Sequence, residues 1–344
     1  MLPSKQEAEN ELDKALLWKI KMNEVYRILS NYDLNVLEVK FLRHNENEVY
    51  QVNTSQGKFI LRIHENKEGV QADTLFRAKD KQQMILGEMA LLEKLHIKFS
   101  ESIQKPISNR NGKYVNVLEN GKLATLISWA EGQGMDELEC NPQILKKVGQ
   151  SLAKLHSAMM HFKEIENRID YGVNCIYYVQ EVLKTIYEEE HISFSQISTM
   201  NEILKMLQEV FNDDLNQLQM VHGDLSKSNL LYNDNLSEVV PIDFSMSGLC
   251  IKAYDLASIV LHFEKNGEAQ YILNAYEEAS ETKLNKLQIQ MCVCYQIILF
   301  ITAQNERVYN QPWFPSALDD WCTGVMESTL KGELYSGDIG LYQA

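Results

Sequence analysis

No dense run of Lys or Arg occurs in the 344-residue sequence, and the formal charge is -15. Binding a polyanion rests on a clustered basic surface, so a nucleic-acid partner is not expected. The acidic balance is compatible with a cationic or neutral small molecule. No apolar stretch approaches the ~20 residues that a membrane helix requires. The longest, Ile297 to Ala303, reads as the middle of a buried helix, so no membrane span is expected. Met1 to Asn10 has no apolar core flanked by basic residues, which leaves no visible signal peptide and sets the expectation of a cytoplasmic protein. Six cysteines (Cys140, Cys175, Cys250, Cys292, Cys294, Cys322) include no Cys-x-x-Cys pair, so they read as reduced, mostly buried thiols and not as a zinc site. Proline is scarce, at six residues, and 45% of the chain is hydrophobic, enough for a sizeable core in two domains or one bilobal enzyme.

What is present is organised around Met220 to Asn229 and Val240 to Phe244. An apolar run (Leu218 to Val221) stops at His222-Gly223-Asp224, a polar loop ends in Asn229, and a second apolar run delivers Asp243. Phosphoryl transfer needs a carboxylate to accept or orient the proton of the acceptor hydroxyl, and oxygen ligands to hold Mg²⁺ against the phosphates. Asp224, Asn229 and Asp243 supply those types. The Asp-to-Asn offset equals that of the protein-kinase catalytic loop, and Ile242-Asp243-Phe244 sits where Asp-Phe-Gly would follow. Gly223 stands in place of the kinase Arg.

With Tyr254-Asp255-Leu256-Ala257 added, these motifs resemble the aminoglycoside phosphotransferase / choline kinase branch of the kinase-like fold. The resemblance spans the chain from about Val36 to the C-terminal helices. It implies an α+β, bilobal, protein-kinase-like fold, with a small antiparallel-sheet N-terminal lobe (1-128) and a mostly helical C-terminal lobe (129-344). It also implies an ATP- and Mg²⁺-dependent phosphotransferase, a kinase acting on a hydroxyl of a small molecule, with nucleotide between the lobes. On that basis Asp224 is the catalytic carboxylate, Asn229 and Asp243 are metal ligands, and Asp255 holds the catalytic loop by accepting backbone hydrogen bonds or caps its helix. Aminoglycosides, homoserine, choline, methylthioribose and sugars are all phosphorylated by relatives, and the sequence does not choose among them or set an oligomeric state. The rival reading is a catalytically silent kinase-like binding or coat-type protein. Three oxygen ligands that repel one another without a metal argue against it.

In chain order, Glu7 to Ser30 has helical apolar spacing and reads as a brace on the small lobe. Val36 to Leu42, Val49 to Asn53 and Phe59 to Ile63 read as strands. The turn His44 to Glu48 takes the place of the nucleotide-covering loop but has no glycine, and Asn47-Glu48-Val49-Tyr50 resembles the N-x-V-Y that follows that loop in relatives, marking Asn47 as nucleotide-facing. Arg62, alone among apolar residues, falls where kinases carry the phosphate-gripping Lys, with Glu88 preferred over Glu93 as its tether on a helix from about Ala78 to His96. Ile103 to Ile107 and Leu123 to Ser128 read as strands joined by a hairpin turn at Asn109 to Gly112. The stretch Ser128 to Gly132 resembles the inter-lobe hinge, whose backbone near Ser128 and Ala130 would hydrogen-bond adenine.

Pro142 opens a helix ending at His156, read as a buried, hydrogen-bonded structural histidine. Asn174 to Glu190 and Gln196 to Phe211 read as helices, the first ending in a solvated Glu188-Glu189-Glu190. Ser245 to Leu249 is short for an activation segment, and no Ala-Pro-Glu follows it. Asp255 opens a helix over Leu256 to His262, and Glu268 to Ser280, Leu284 to Ala303 and Trp313 to Leu330 read as helical core.

Overall fold

Residues 18–44, 47–64, 80–99, 103–213, 218–335 and 339–340 are described in the computed structural model. Residues 7–17 of the expected leading helix, 45 and 46 of the His44 to Glu48 turn, and 78 and 79 of the next expected helix lie outside them. The chain divides into two compact units, Met1–Lys67 with Gln104–Trp129, and Glu68–Ile103 with Ala130–Ala344. The helix carrying Glu88 therefore groups with the second unit, which the sequence does not reveal.

The first unit is an antiparallel sheet of β1 (Val36–His44), β2 (Asn47–Thr54), β3 (Gly57–His64), β4 (Pro106–Ile107), β5 (Val115–Val117) and β6 (Leu123–Ser128). Its order is β1-β2-β3-β6-β4, with β5 also paired to β6. Helix α1 (residues 18–29) lies on it as the expected brace: Val25, Ile28 and Leu29 share a buried cluster with Tyr50, Val52, Phe59 and Leu61. Burying each such side chain contributes roughly 1.5–3 kcal/mol. The Asn109 to Gly112 turn forms, with Asn109 Oδ1 accepting from the N–H groups of Asn111 and Lys113. It leads into β5, however, and not directly into β6. Val115–Val117 is too short for its alternation to stand out in the sequence.

The second unit is mostly helical. Helix α2 is Lys81–Phe99, and α3 is Pro142–Met159, where Asn141 caps the N-terminus by accepting from Ile144 N–H and Pro142 takes the first turn. Strands β7 (Gln133–Gly134), β10 (Leu230–Asn233) and β11 (Glu238–Pro241) form one small sheet. A second contains β8 (Ile169–Asp170), β9 (Gln219–Val221) and β12 (Gly248–Cys250). Helices α4 (Val173–Glu188), α5 (Phe194–Asp213) and α6 (Ala253–His262) pack against α8 (Lys286–Tyr309), and α7 (Glu268–Ser280) packs against α3. Along Lys286–Ala303 the mean hydropathy is 1.4, apolar and long enough to cross a membrane, but 72% of that window is buried inside the protein. The expected apolar run from Ile297 is thus part of a longer core helix. Trp313 to Leu330 is not one α-helix: Phe314–Asp320 gives way to a π-helical turn at Trp321–Met326 before Glu327–Leu330.

Candidate active site

Strand β9 ends at Val221, and after His222 the chain turns sharply. Gly223 has φ +85°, and a Cβ there would run into the carbonyl oxygen of Met246. No other residue fits this point without displacing backbone, which explains the glycine in place of the kinase Arg. Asp255 fixes the turn. Its Oδ2 accepts from His222 N–H and its Oδ1 from Gly223 N–H, both at 2.8 Å, and His156 Nε2 lies 2.9 Å from Oδ2. His156 Nδ1 in turn meets the Tyr276 hydroxyl at 2.9 Å. The backbone-holding geometry expected of Asp255 and the buried structural role of His156 are both present. Helix α6 starts at Ala253, so Asp255 occupies its first turn and is not the N-cap, which is Lys252. Burial pushes the Asp255 carboxyl up, but the His156 hydrogen bond and the surrounding positive charge outweigh it, and the net shift is downward.

Past Gly223 the loop closes on itself. Asn229 Nδ2 donates to Asp224 Oδ2 at 2.8 Å and to Asp224 O at 3.1 Å. Ile242 N–H donates to Asn229 O at 2.9 Å, and His222 Nε2 lies 3.0 Å from Ile242 O. These bonds bring Asp243 to the same place, where its backbone is left-handed at φ 63°. A non-glycine residue in that region is strained and persists only where its surroundings impose it. Burial raises the Asp224 carboxyl, the charge of Asp243 adds to the rise, and the Asn229 hydrogen bond opposes it.

The structure therefore brings Asp224, Asn229 and Asp243 together. Among the described residues no three His, Cys, Asp or Glu side chains form a metal cluster. Two carboxylates with an amide oxygen are a different donor set. With the Asn229 amide nitrogen turned to Asp224, its Oδ1 remains as an oxygen donor beside two acids. Such a set fits a hard cation that completes its shell with water and phosphate oxygens.

A phosphotransferase enzyme family profile matches residues 38–285 of this sequence. The chain belongs to that family. Several solved structures share its fold. A microcompartment-associated aminopropanol kinase is 16% identical, with a TM-score of 0.66 over 90% of this chain and 98% of that one. Spectinomycin phosphotransferase in complex with ADP and spectinomycin is 14% identical, with a TM-score of 0.60 over 90% and 97%. Choline kinase LicA from Streptococcus pneumoniae is 18% identical, with a TM-score of 0.54 over 92% and 98%. No curated protein matches the sequence closely enough to count as a relative. The fold is the protein-kinase-like α+β fold of these phosphotransferases.

The nucleotide-side expectations for this family member lie in both units. In the first, Arg62 is only 5% exposed on β3, in register with Val49 and Thr125, so it does not point to solvent. Asn47 opens β2 opposite His64. Its neighbour Glu48 is a structural carboxylate that sequence reading passed over: it accepts from the Tyr50 hydroxyl at 2.6 Å and pairs with Lys21 of α1 at 2.8 Å. Ser128 is bonded within the sheet. Its N–H donates to Lys105 O, its carbonyl accepts from Gln104 Nε2, and its hydroxyl accepts from Lys105 N–H. These bonds form because Ser128 ends β6 inside the sheet. In the second unit, Ala130 follows the sheet without such bonds to described residues, and Glu88 is 2% exposed on α2.

Arg168 is the residue of this phosphotransferase that sequence reading missed. Buried, it donates to Phe244 O, Ser245 O and Ser247 O, the turn that follows Asp243, and to Met84 O on α2. One planar guanidinium thus ties the Asp243 turn to the helix carrying Glu88. Its only sequence signal is a cation placed just before the apolar β8 residue Ile169.

Proposed function

We propose that this protein transfers the γ-phosphate of ATP to a hydroxyl of a small molecule. The observation that carries this is the constellation of Asp224, Asn229 and Asp243 on a loop whose backbone Asp255 pins. In this reading Asp224 orients the acceptor hydroxyl and takes its proton, and its raised carboxyl is a stronger base than a solvated one. Asn229 Oδ1 and the Asp243 carboxylate hold Mg²⁺, which neutralises charge on the phosphates when bound. Arg62, Asn47, Ser128, Glu88 and Ala130 are the proposed nucleotide-side residues, with Arg62 for the phosphates. The named neighbours act on aminopropanol, choline and spectinomycin, all amine-bearing alcohols, and the charge of -15 suits a cationic acceptor.

The test has two parts. ATP with Mg²⁺ should raise the melting temperature above ATP alone and above buffer, because a ligand that binds only the folded state stabilises it by mass action. ADP release should then rise with at least one acceptor from a panel of amino alcohols, aminoglycosides, homoserine and sugars. Absence of both the thermal shift and acceptor-stimulated ADP release sinks the proposal and leaves a silent kinase-like module.

A further inference from the structure

Away from the catalytic loop, the second unit contains a cavity of about 840 Å³. It is bounded by the outer faces of α3 and α7, the end of α2 and the start of β9. It is partly open to solvent, and its volume falls in the range of small-molecule sites. The lining is unlike the rest of the chain. It contains Lys98, Lys154 and Lys252 and no Asp or Glu, although acids outnumber bases 48 to 33 overall.

Several polar groups there lack full hydrogen bonding. Ser280 Oγ is buried with no hydrogen-bond partner. Among the described residues the Gln219 side chain, on a residue 7% exposed, reaches only His156 O, at 3.5 Å, the outer limit of a hydrogen bond. Lys252 is half-buried with no carboxylate partner among the described residues, and burial lowers its ammonium from the usual lysine range. Lys154 is paired with Glu238 at 2.7 Å, and the Lys98 ammonium sits over the Phe162 ring at 5.6 Å. Buried polar groups are normally satisfied, and a half-buried cation beside unsatisfied donors favours an anion.

We propose that this cavity is a binding site for a small soluble organic anion carrying phosphate or carboxylate, held by Lys252, Gln219 and Ser280 with Lys98 and Lys154 at its edge. The site is separate from the phosphotransfer loop but touches its support. His156 and Tyr276 both line the cavity. They are the same side chains that hold Asp255, which holds the His222 and Gly223 amides. An anion seated here packs against the outer side of that chain of bonds and slows its opening. Anion binding here depends neither on the identity of the acceptor nor on phosphotransfer activity.

The test uses the full chain without nucleotide or metal, titrated by calorimetry with inorganic phosphate, citrate and glycerol 3-phosphate at constant ionic strength. Chloride and glycerol serve as controls. At least one anion should bind saturably to wild type and equally to Asp243→Asn, which separates this site from the phosphotransfer loop. Lys252→Met should weaken that binding by about tenfold, the value of a hydrogen bond to a charged group. Lys98→Met, at an exposed position that does not endanger folding, should weaken it less. Hydrogen exchange in the peptide spanning 219–229 should slow when the anion is present. Equal binding in wild type, Lys252→Met and Lys98→Met, or none in wild type, overturns the site. Binding with unchanged exchange at 219–229 overturns the coupling to the loop.

Discussion

Asp224 and Asp255 lie in contact with the same short loop, yet their carboxyls shift in opposite directions. A carboxyl raised in the folded state contributes stability that is fully present below its unfolded value, 3.8, and is lost as pH rises through the folded value. Asp224 therefore weakens the ligand-free protein at neutral pH. Asp224→Asn should raise the melting temperature at pH 7, without nucleotide or metal, by about 1–3 °C. That gain should vanish in scans below about pH 4. The same variant should lose about 10²- to 10⁴-fold in acceptor phosphorylation while still binding ATP. A lower melting temperature at pH 7 would contradict the assigned shift. Asp255 is the reverse case: its contribution is present above the unfolded value and is lost as pH falls through the lowered one. Asp255→Asn puts an amide against three donors and should cost about 3 kcal/mol or more in denaturant unfolding at pH 7. Asp243→Asn should shift the Mg²⁺ dependence of turnover far more than Asp224→Asn, and superimposable metal titrations of the two variants would overturn the ligand assignment. These aspartates were legible in the sequence because loop chemistry compresses them into a recognisable spacing. Arg168 was not, because the carbonyls it serves are 76 to 84 positions away and carry no side-chain signature.

Among elements, the linkage between α2 and the Asp243 turn depends on that arginine. Lysine has the charge but not the planar fork, so Arg168→Lys can reach one or two of the four carbonyls at most. Each buried acceptor left unmade costs about 1–3 kcal/mol. Arg168→Lys should lower both the unfolding free energy and Mg²⁺ affinity, read by denaturant titration and metal-dependent thermal shift. Lost stability with unchanged metal affinity would mean that the turn holds Asp243 without help. Gly87 shows how tight the packing is: a Cβ there would meet the Glu166 and Asn167 carbonyl oxygens at 2.6 and 2.9 Å. Long elements were read well from periodicity, since α3, α5 and α7 carry an apolar stripe and clear starts or stops. β5 and the π-helical turn at Trp321–Met326 were not, the first for lack of length and the second because its apolar spacing resembles that of an α-helix.

For the molecule as a whole, the thiols offer a direct check on packing. Cys175, Cys250, Cys292, Cys294 and Cys322 are buried, and Cys140 is partly so; burial raises Cys140, Cys250, Cys292, Cys294 and Cys322 above the usual thiol range. The thiolate is the reactive form. Native protein should therefore show no more than one slowly reacting thiol, Cys140, toward a thiol-specific chromophore, and six after denaturation. Two or more fast-reacting thiols in the native state would mean that the core is looser than described. The class of chemistry was legible at this scale from one loop, whereas the grouping of α2 with the catalytic unit was not, because it depends on distant carbonyl contacts.

The Asp255 cluster also orders events in time. It joins His222 to Asp255 across 33 positions, His156 to Asp255 across 99, and His156 to Tyr276 across 120. A ribosome exposes the catalytic loop before the carboxylate that anchors it, and the tyrosine that braces the anchoring histidine comes later still. A nascent chain stalled between Asn229 and Asp255 has Asp224 and Asn229 but not the carboxylate that pins the His222 and Gly223 amides. The loop is thus braced by Asp255 and Tyr276, residues that lie far downstream of it in the chain.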